Sequence, residues 1–162
     1  MGCGPGQIAR YLKDHGAEVN GIDLSSGKLE QARRLNRDIN FIRGDMRALD
    51  GVADSTFAGI VAAYAIVNIP CDQLPSVFRE FKRILRPGGN LLLSFHIGEE
   101  TLHVTDLFGV AVKLDFFFHL PITVKDLLAA AEFAVDEVIE RKPYPDVEAQ
   151  TRRAYMFARR LA

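Results

Sequence analysis

The 162-residue sequence has no apolar run approaching the ~18 residues that a membrane-crossing helix needs. It has no basic block and a net charge of −1, which argues against electrostatically driven binding to nucleic acid or anionic membranes. No signal-peptide pattern is visible. The two cysteines, Cys3 and Cys71, form neither a CxxC pair nor a metal-ligand spacing. They read as free thiols in a reducing cytosol, so a cytoplasmic location and no metal are expected. Repeats, linkers and low-complexity tracts are also absent, which leaves one domain spanning 1–162, long enough for a sizeable core.

What is present begins at once, with Met1-Gly2-Cys3-Gly4-Pro5-Gly6. Three glycines at alternate positions precede Gln7 to Leu12, where Ile8, Tyr11 and Leu12 have helical spacing. A glycine loop opening a helix points N–H groups outward at the positive end of the helix dipole, which suits a carboxylate or phosphate. The dinucleotide fingerprint needs glycine where Gln7 stands, so that pattern fails. The loop should also follow an apolar strand, and no such strand precedes it in this sequence.

Along the chain, a helix from about Gly6 to Asp14 stops at His15-Gly16. A strand over 17–23 ends in Asp23. Ser25 or Ser26 caps a second helix, and a strand over 40–45 ends in Asp45. The apolar run Phe57 to Tyr64 reads as a strand buried on both faces. Residues 73–85 form an amphipathic helix with Leu74, Val77, Phe78, Phe81, Ile84 and Leu85 on one side, broken by Arg86-Pro87-Gly88-Gly89 before a strand over 90–95. Alternating helices and strands imply a parallel sheet covered on both faces. The last third differs. A helix is expected over 101–112, an extended aromatic segment over 113–118, and a helix capped by Thr123. A closing hairpin of strands 133–141 and 153–160 follows.

A carboxylate at a strand end beside a glycine loop can accept both hydroxyls of a ribose. A second acid one strand further out can accept from an exocyclic amine. Together Gly2/Gly4/Gly6, Asp23, Asp45 and Phe81-Lys82-Arg83-Ile84-Leu85-Arg86-Pro87-Gly88-Gly89 describe a site for a nucleoside with a charged tail. The set resembles the class I S-adenosylmethionine (SAM) methyltransferases, especially the small-molecule group. Late segments 127–133 and 155–159 extend the likeness over nearly the whole chain. The resemblance implies a Rossmann-like doubly wound α/β sheet of order 3-2-1-4-5-7-6, mostly parallel, with an antiparallel C-terminal strand. The first of these strands is missing from the sequence.

The resemblance also assigns roles. Gly2, Gly4 and Gly6 would face the methionine part of SAM. Asp23 would bind the ribose, with Leu24 packing on the adenine. Asp45 would take the adenine amine, Met46 would offer its N–H and an apolar wall, and Ala63 would lie beside the methionine tail. S-adenosylhomocysteine would be the product and a small molecule the acceptor. The sequence departs from the family at Ala58 (often Asp), Asn68 (often His) and Glu132 (usually Gly). No catalytic base is assigned. His96 and Tyr64, each after the carboxyl end of a strand, are the candidates, with His103 and His119 further away. The missing strand leaves room for a homo-oligomer built through the gap. It also keeps open a SAM-fold binding module without catalysis. A nicotinamide-dependent oxidoreductase is disfavoured by Gln7.

Overall fold

Gly6 takes a left-handed conformation, φ 90°, which glycine adopts without strain, and there the chain turns into α1, Gln7–Asp14. In the computed structural model, which describes residues 1–107 and 109–162, this opens a series of helix–strand units. β1 (Asn20–Asp23) is followed by α2 (Ser26–Leu35), whose N-cap Ser25 accepts a hydrogen bond from the Lys28 N–H at 3.3 Å. β2 (Asn40–Arg43) pairs with β1 in parallel, so Asp23 lies opposite Arg43. Both strands are shorter than the sequence suggested. Residues 17–19 stay outside β1, and Asp45 sits in the turn beyond β2.

The second half-sheet is larger. β3 (Phe57–Ala63) pairs in parallel with β4 (Leu85–His96). β4 pairs antiparallel with β8 (Arg153–Arg160), and β8 with β7 (Phe133–Arg141). The order is therefore β3-β4-β8-β7, and the expected closing hairpin is present. The stripe on α3 (Leu74–Ile84) is buried as expected. Leu74, Val77, Phe78, Phe81 and Ile84 are all fully buried in one core with Leu91, Leu93 and Phe95 of β4. At about 1.5–3 kcal/mol for each such side chain, packing rather than helix propensity holds α3 in place. α4 (Pro121–Ala130) adds Val124 and Leu128 to the same core.

Four expectations are corrected. The helix expected over 101–112 is instead a hairpin of β5 (Thr101–Leu107) and β6 (Val110–Phe117), with Leu102 opposite Phe116 and Val104 opposite Leu114. Period-two alternation over 101–105, β-branched Thr101, Val104 and Thr105, and a left-handed Gly109 (φ 79°) outweigh the helical pattern. Phe108, part of the expected helix, lies outside the described residues. Thr123 sits inside α4 rather than capping it, because Pro121 sets the first turn and Leu120 is the N-cap. Arg86-Pro87-Gly88-Gly89 ends α3 but does not delay the next strand. β4 begins at Leu85, and a register shift between Phe57 and Gly59 absorbs the extra residues. Finally, β3 is not buried on both faces, since Ala58 and Gly59 are exposed.

The exposure of β3 has a direct cause. β1 and β3 are not hydrogen-bonded to each other, and a cleft of about 820 Å3 opens between them. Its walls include Ile22 of β1, Phe57 and Val61 of β3, and Ile8 and Leu12 of α1. Residues 1–3 span one end of it. The Met1 ammonium donates to Val61 O at 2.7 Å, and the Cys3 N–H donates to Ile22 O at 3.0 Å. Among the described residues the strands thus take the expected order, with its central place spanned at one end by residues 1–3.

Glu132, where the family usually has glycine, adopts φ 62° just after α4. Its carboxylate pairs with Lys82, and its N–H donates to Ala129 O at 3.0 Å. A left-handed residue at this position after a helix is normally glycine. Replacing Glu132 with Gly is expected to raise the melting temperature by roughly 2–4 °C. Glu132→Ala, which loses the ion pair and keeps the strain, should lower it. Thermal melts of the two variants that moved together would show that φ is not what matters here.

Candidate cofactor and acceptor site

The glycine loop, the β1 carboxyl end and the segment after β3 converge on one edge of the fold. Gly2 has φ 60°, and a Cβ built on it would stand 2.6 Å from Ala65 Cβ and 3.7 Å from the Met46 methyl carbon. Any larger residue at Gly2 would push the loop off this wall. Asp23 holds the loop from the other side, with Oδ2 accepting the Gly4 N–H at 2.8 Å and Oδ1 accepting the Ser25 N–H at 2.9 Å. A carboxylate has about four lone-pair positions, so two remain for a diol. Leu24, next to it, is 54% exposed and presents an apolar platform. The first turn of α1 has no side-chain cap, leaving its N–H groups without that partner.

Asp45 is placed differently from the simple expectation. It follows β2, next to the β1 end, where the Gly44 N–H donates to Asp23 O at 3.1 Å. Both of its oxygens are engaged by Arg47, with Nη2 at 2.6 Å and Nε at 3.0 and 3.2 Å. That pairing holds the Asp45 carboxyl below the usual carboxylate range. An incoming amine would have to share this acid with Arg47. Met46 packs half-buried against the core, and Ala63 stands at the end of β3, opposite Ser94, lining the cleft.

On the other side of Tyr64 lies a polar cluster. Tyr64 itself has φ 50°, an outlier for an aromatic residue, and its N–H donates to Ser94 O at 2.9 Å and Ser94 Oγ at 3.1 Å. The antiparallel register sets His96 opposite Arg153 and Ser94 opposite Tyr155, so these side chains share a face. The His96 ring lies 5.1 Å from Tyr64 and 5.3 Å from Phe118, and its Nδ1 is 2.7 Å from Thr151 Oγ1. Tyr64 and Tyr155 share a hydroxyl contact of 3.2 Å, and Arg141 donates to the Tyr155 hydroxyl at 2.8 Å. Burial, reinforced by Tyr155, pushes the Tyr64 phenol up to about 12. Arg153 is 4% exposed and donates to Glu148 at 2.8 Å and Ala149 O at 3.1 Å. Its guanidinium lies 6.0 Å from the Tyr64 ring.

The structure therefore brings Gly2, Gly4, Asp23, Leu24 and Met46 to one place, and Tyr64 with His96 beside it. Ala65, Arg47, Thr151, Arg153 and Tyr155 were missed by sequence reasoning. Only the register of β4 against β8 shows that the last two face His96. His103 is an exposed partner of Asp115 at 2.6 Å, on the β5–β6 hairpin. His119 is a core residue, 3% exposed, with Nε2 3.1 Å from Ile66 O.

Burial lowers the pKa of His119, and burial together with Arg153 lowers that of His96, from the usual 6.5. Below that pH the unfolded chain binds more protons than the folded one, so stability is whole above it and falls as the solution is acidified. The melting temperature should decline between roughly pH 6.5 and 5, before most carboxylates titrate. His119→Gln, which keeps an N–H for Ile66 O, should flatten that decline. An unchanged slope would mean that neither core burial nor His119 governs it.

Parallel strands with one acid at the end of β1 and another just beyond β2, beside a glycine loop, form the kind of edge at which open α/β sheets take their ligands. Sequence comparison names the family: residues 1–89 match the methyltransferase domain, and the chain belongs to that family. It is 39% identical over 90 residues to a malonyl-[acyl-carrier protein] O-methyltransferase of Enterobacter lignolyticus, covering 56% of this chain and 35% of that protein. It is 30% identical over 94 residues to a demethylmenaquinone methyltransferase of Renibacterium salmoninarum, covering 58% and 38%. The chain thus spans about a third of the length of these curated relatives. In fold it is similar to a SAM-dependent methyltransferase of Methanosarcina mazei, with TM-score 0.87 and 18% identity over 99% of this chain and 90% of that one. It is also similar to a Burkholderia thailandensis 1,6-didemethyltoxoflavin-N1-methyltransferase solved with S-adenosylhomocysteine, with TM-score 0.75 and 18% identity over 99% and 69%.

Proposed function

We propose that the chain is the SAM-binding and methyl-transferring part of a small-molecule methyltransferase. The observation that carries this reading is Asp23. Its carboxylate fixes Gly4 and Ser25 and still has two acceptor positions free beside exposed Leu24. Gly2, Gly4 and Gly6 would hold the methionine part, Asp23 the ribose and Leu24 the adenine face. Asp45, in competition with Arg47, and Met46 would meet the adenine edge. Ala63 would flank the tail. Bound there, SAM supplies a methyl group already activated by its sulfonium leaving group. The protein's share is then mainly placement of the acceptor in line with that carbon. Tyr64 and His96 border the site on the acceptor side.

The malonyl-[acyl-carrier protein] O-methyltransferases support an O-methylating activity, and a binding module without catalysis is the alternative. Calorimetry with SAM, S-adenosylhomocysteine and NAD tests the first level. Micromolar-class binding of the first two and none of NAD is expected. Transfer of label from methyl-labelled SAM into a metabolite extract tests the second. Binding without any transfer would favour the module, and preference for NAD would overturn both.

A further inference from the structure

Asp45 and Arg47 set a hydrogen-bond acceptor and a donor side by side at the rim of the cofactor site. Besides the contacts through Nε and Nη2, the Arg47 backbone N–H donates to Asp45 Oδ1 at 2.9 Å. Arg47 Nη1 donates to Gln73 Oε1 at 2.6 Å. Gln73 ends the short turn Cys71–Gln73 that leads into α3, and its own N–H donates to Pro70 O at 3.0 Å. The guanidinium is thus pinned between the turn after β2 and the head of α3. An exposed ion pair held at one point keeps its geometry weakly; this one is held at both ends. The guanidinium carries more N–H groups than these contacts use, and one on each terminal nitrogen has no partner among the described residues. The Arg47 side chain is 41% exposed and that of Asp45 29%, so a ligand can reach both.

We infer that Arg47 sets the purine specificity of this site, admitting a 6-oxopurine nucleoside where Asp45 alone would admit only a 6-aminopurine. The inference rests on the methyltransferase reading above, in which the purine lies on Leu24 with its edge at Asp45. An ionised carboxylate only accepts hydrogen bonds, and a guanidinium only donates them. Adenine offers a donor, its amino group, beside an acceptor, N1. Hypoxanthine, its 6-oxo counterpart, offers the reverse, O6 as acceptor beside N1–H as donor. Asp45 alone suits the first edge and meets O6 with acceptor against acceptor. Asp45 with Arg47 Nη2 at 2.6 Å presents both kinds of group and serves either edge. The guanidinium also offsets the carboxylate charge that would repel O6. The Met46 N–H, a donor only, favours N1 of adenine, so Arg47 narrows the preference for adenine without reversing it.

Calorimetry of the full chain with S-adenosylhomocysteine and S-inosylhomocysteine reads the discrimination directly. Wild type should prefer S-adenosylhomocysteine by no more than about tenfold. Arg47→Leu should widen that ratio by roughly ten- to a hundredfold, the usual size for a polar group left without its partner. S-adenosylhomocysteine should bind at least as well as before, since it no longer shares Asp45, and the loss should fall on S-inosylhomocysteine. Arg47→Met, a second uncharged side chain, should give the same ratio, and circular dichroism shows whether each variant folds. An Arg47 with a purely structural role would weaken both ligands by one factor and leave the ratio unchanged. That result, or a wild-type preference above the tenfold bound, would overturn the inference while both ligands still bind. If wild type binds neither ligand, the methyltransferase reading falls, and the inference with it.

Discussion

A version of the chain extended upstream of Met1 by an apolar strand of about six residues will melt at a higher temperature than the 162-residue chain and bind SAM more tightly. The cleft between β1 and β3 is the reason. Two parallel strands present free edges across about 820 Å3, and Ile22, Phe57 and Val61 line it. Since Ala58 and Gly59 are exposed, water reaches the β3 edge. The loss is therefore mainly forfeited apolar burial rather than stranded polar groups. Three or four large side chains buried there contribute about 1.5–3 kcal/mol each, less the entropy of ordering the strand. Against a whole stability of ~5–15 kcal/mol that is a large fraction, and each kcal/mol moves the melting temperature by about 2–4 °C. Affinity should rise with stability, because Met1–Cys3 would no longer be a terminus free to fray. The unextended chain is expected either to self-associate through the cleft or to be weakly stable and a weak SAM binder. Light scattering that finds a monomer, with cooperative melting and tight SAM binding, would sink this prediction.

Asp23→Ala is expected to weaken SAM binding by roughly 1.5–3 kcal/mol, about ten- to a hundred-fold, the usual size for hydrogen bonds to a charged group. Two effects act in the same direction. The ribose loses its acceptor, and the Gly4 and Ser25 N–H groups lose theirs, which loosens the loop and the start of α2. Asp23→Asn separates them. It retains an oxygen for one N–H and should recover stability more than affinity. Circular dichroism establishes that the variants fold, and calorimetry measures the affinity. A folded Asp23→Ala protein with unchanged SAM affinity would remove the ribose role altogether.

The glycine loop and the helix and strand ends around it were legible in the sequence because their signals are local. Gly6 starts a helix, Ser25 caps one, and Asp23 ends a strand, each within a few residues of the feature it creates. The stripe on α3 was legible for the same reason. The cluster around Tyr64 and His96 was not, because its contacts are long-range. Arg153 and Tyr155 join His96 only through the β4–β8 register. Thr151 reaches His96 from a loop 55 residues away. The 101–112 segment was misread because a few apolar residues fit either period, and only the left-handed Gly109 and the β6 partner decide between them. Asp45 was read as a free acid because nothing in the spacing says that Arg47 folds back on it.

The first half of the chain has its own small core, in which Ala9, Leu29, Ala32, Ile39 and Phe41 pack apart from the main cluster. Its backbone meets the larger half-sheet through little more than Met1–Cys3. Such a unit can open by itself, at a free energy below that of global unfolding. A ligand lying on Asp23 in one half and beside Tyr64 and Ala65 in the other would splice the two. Amide hydrogen exchange in β1, β2 and α2 would then report occupancy of the site, slowing when the ligand is present while α3 and β4 barely change.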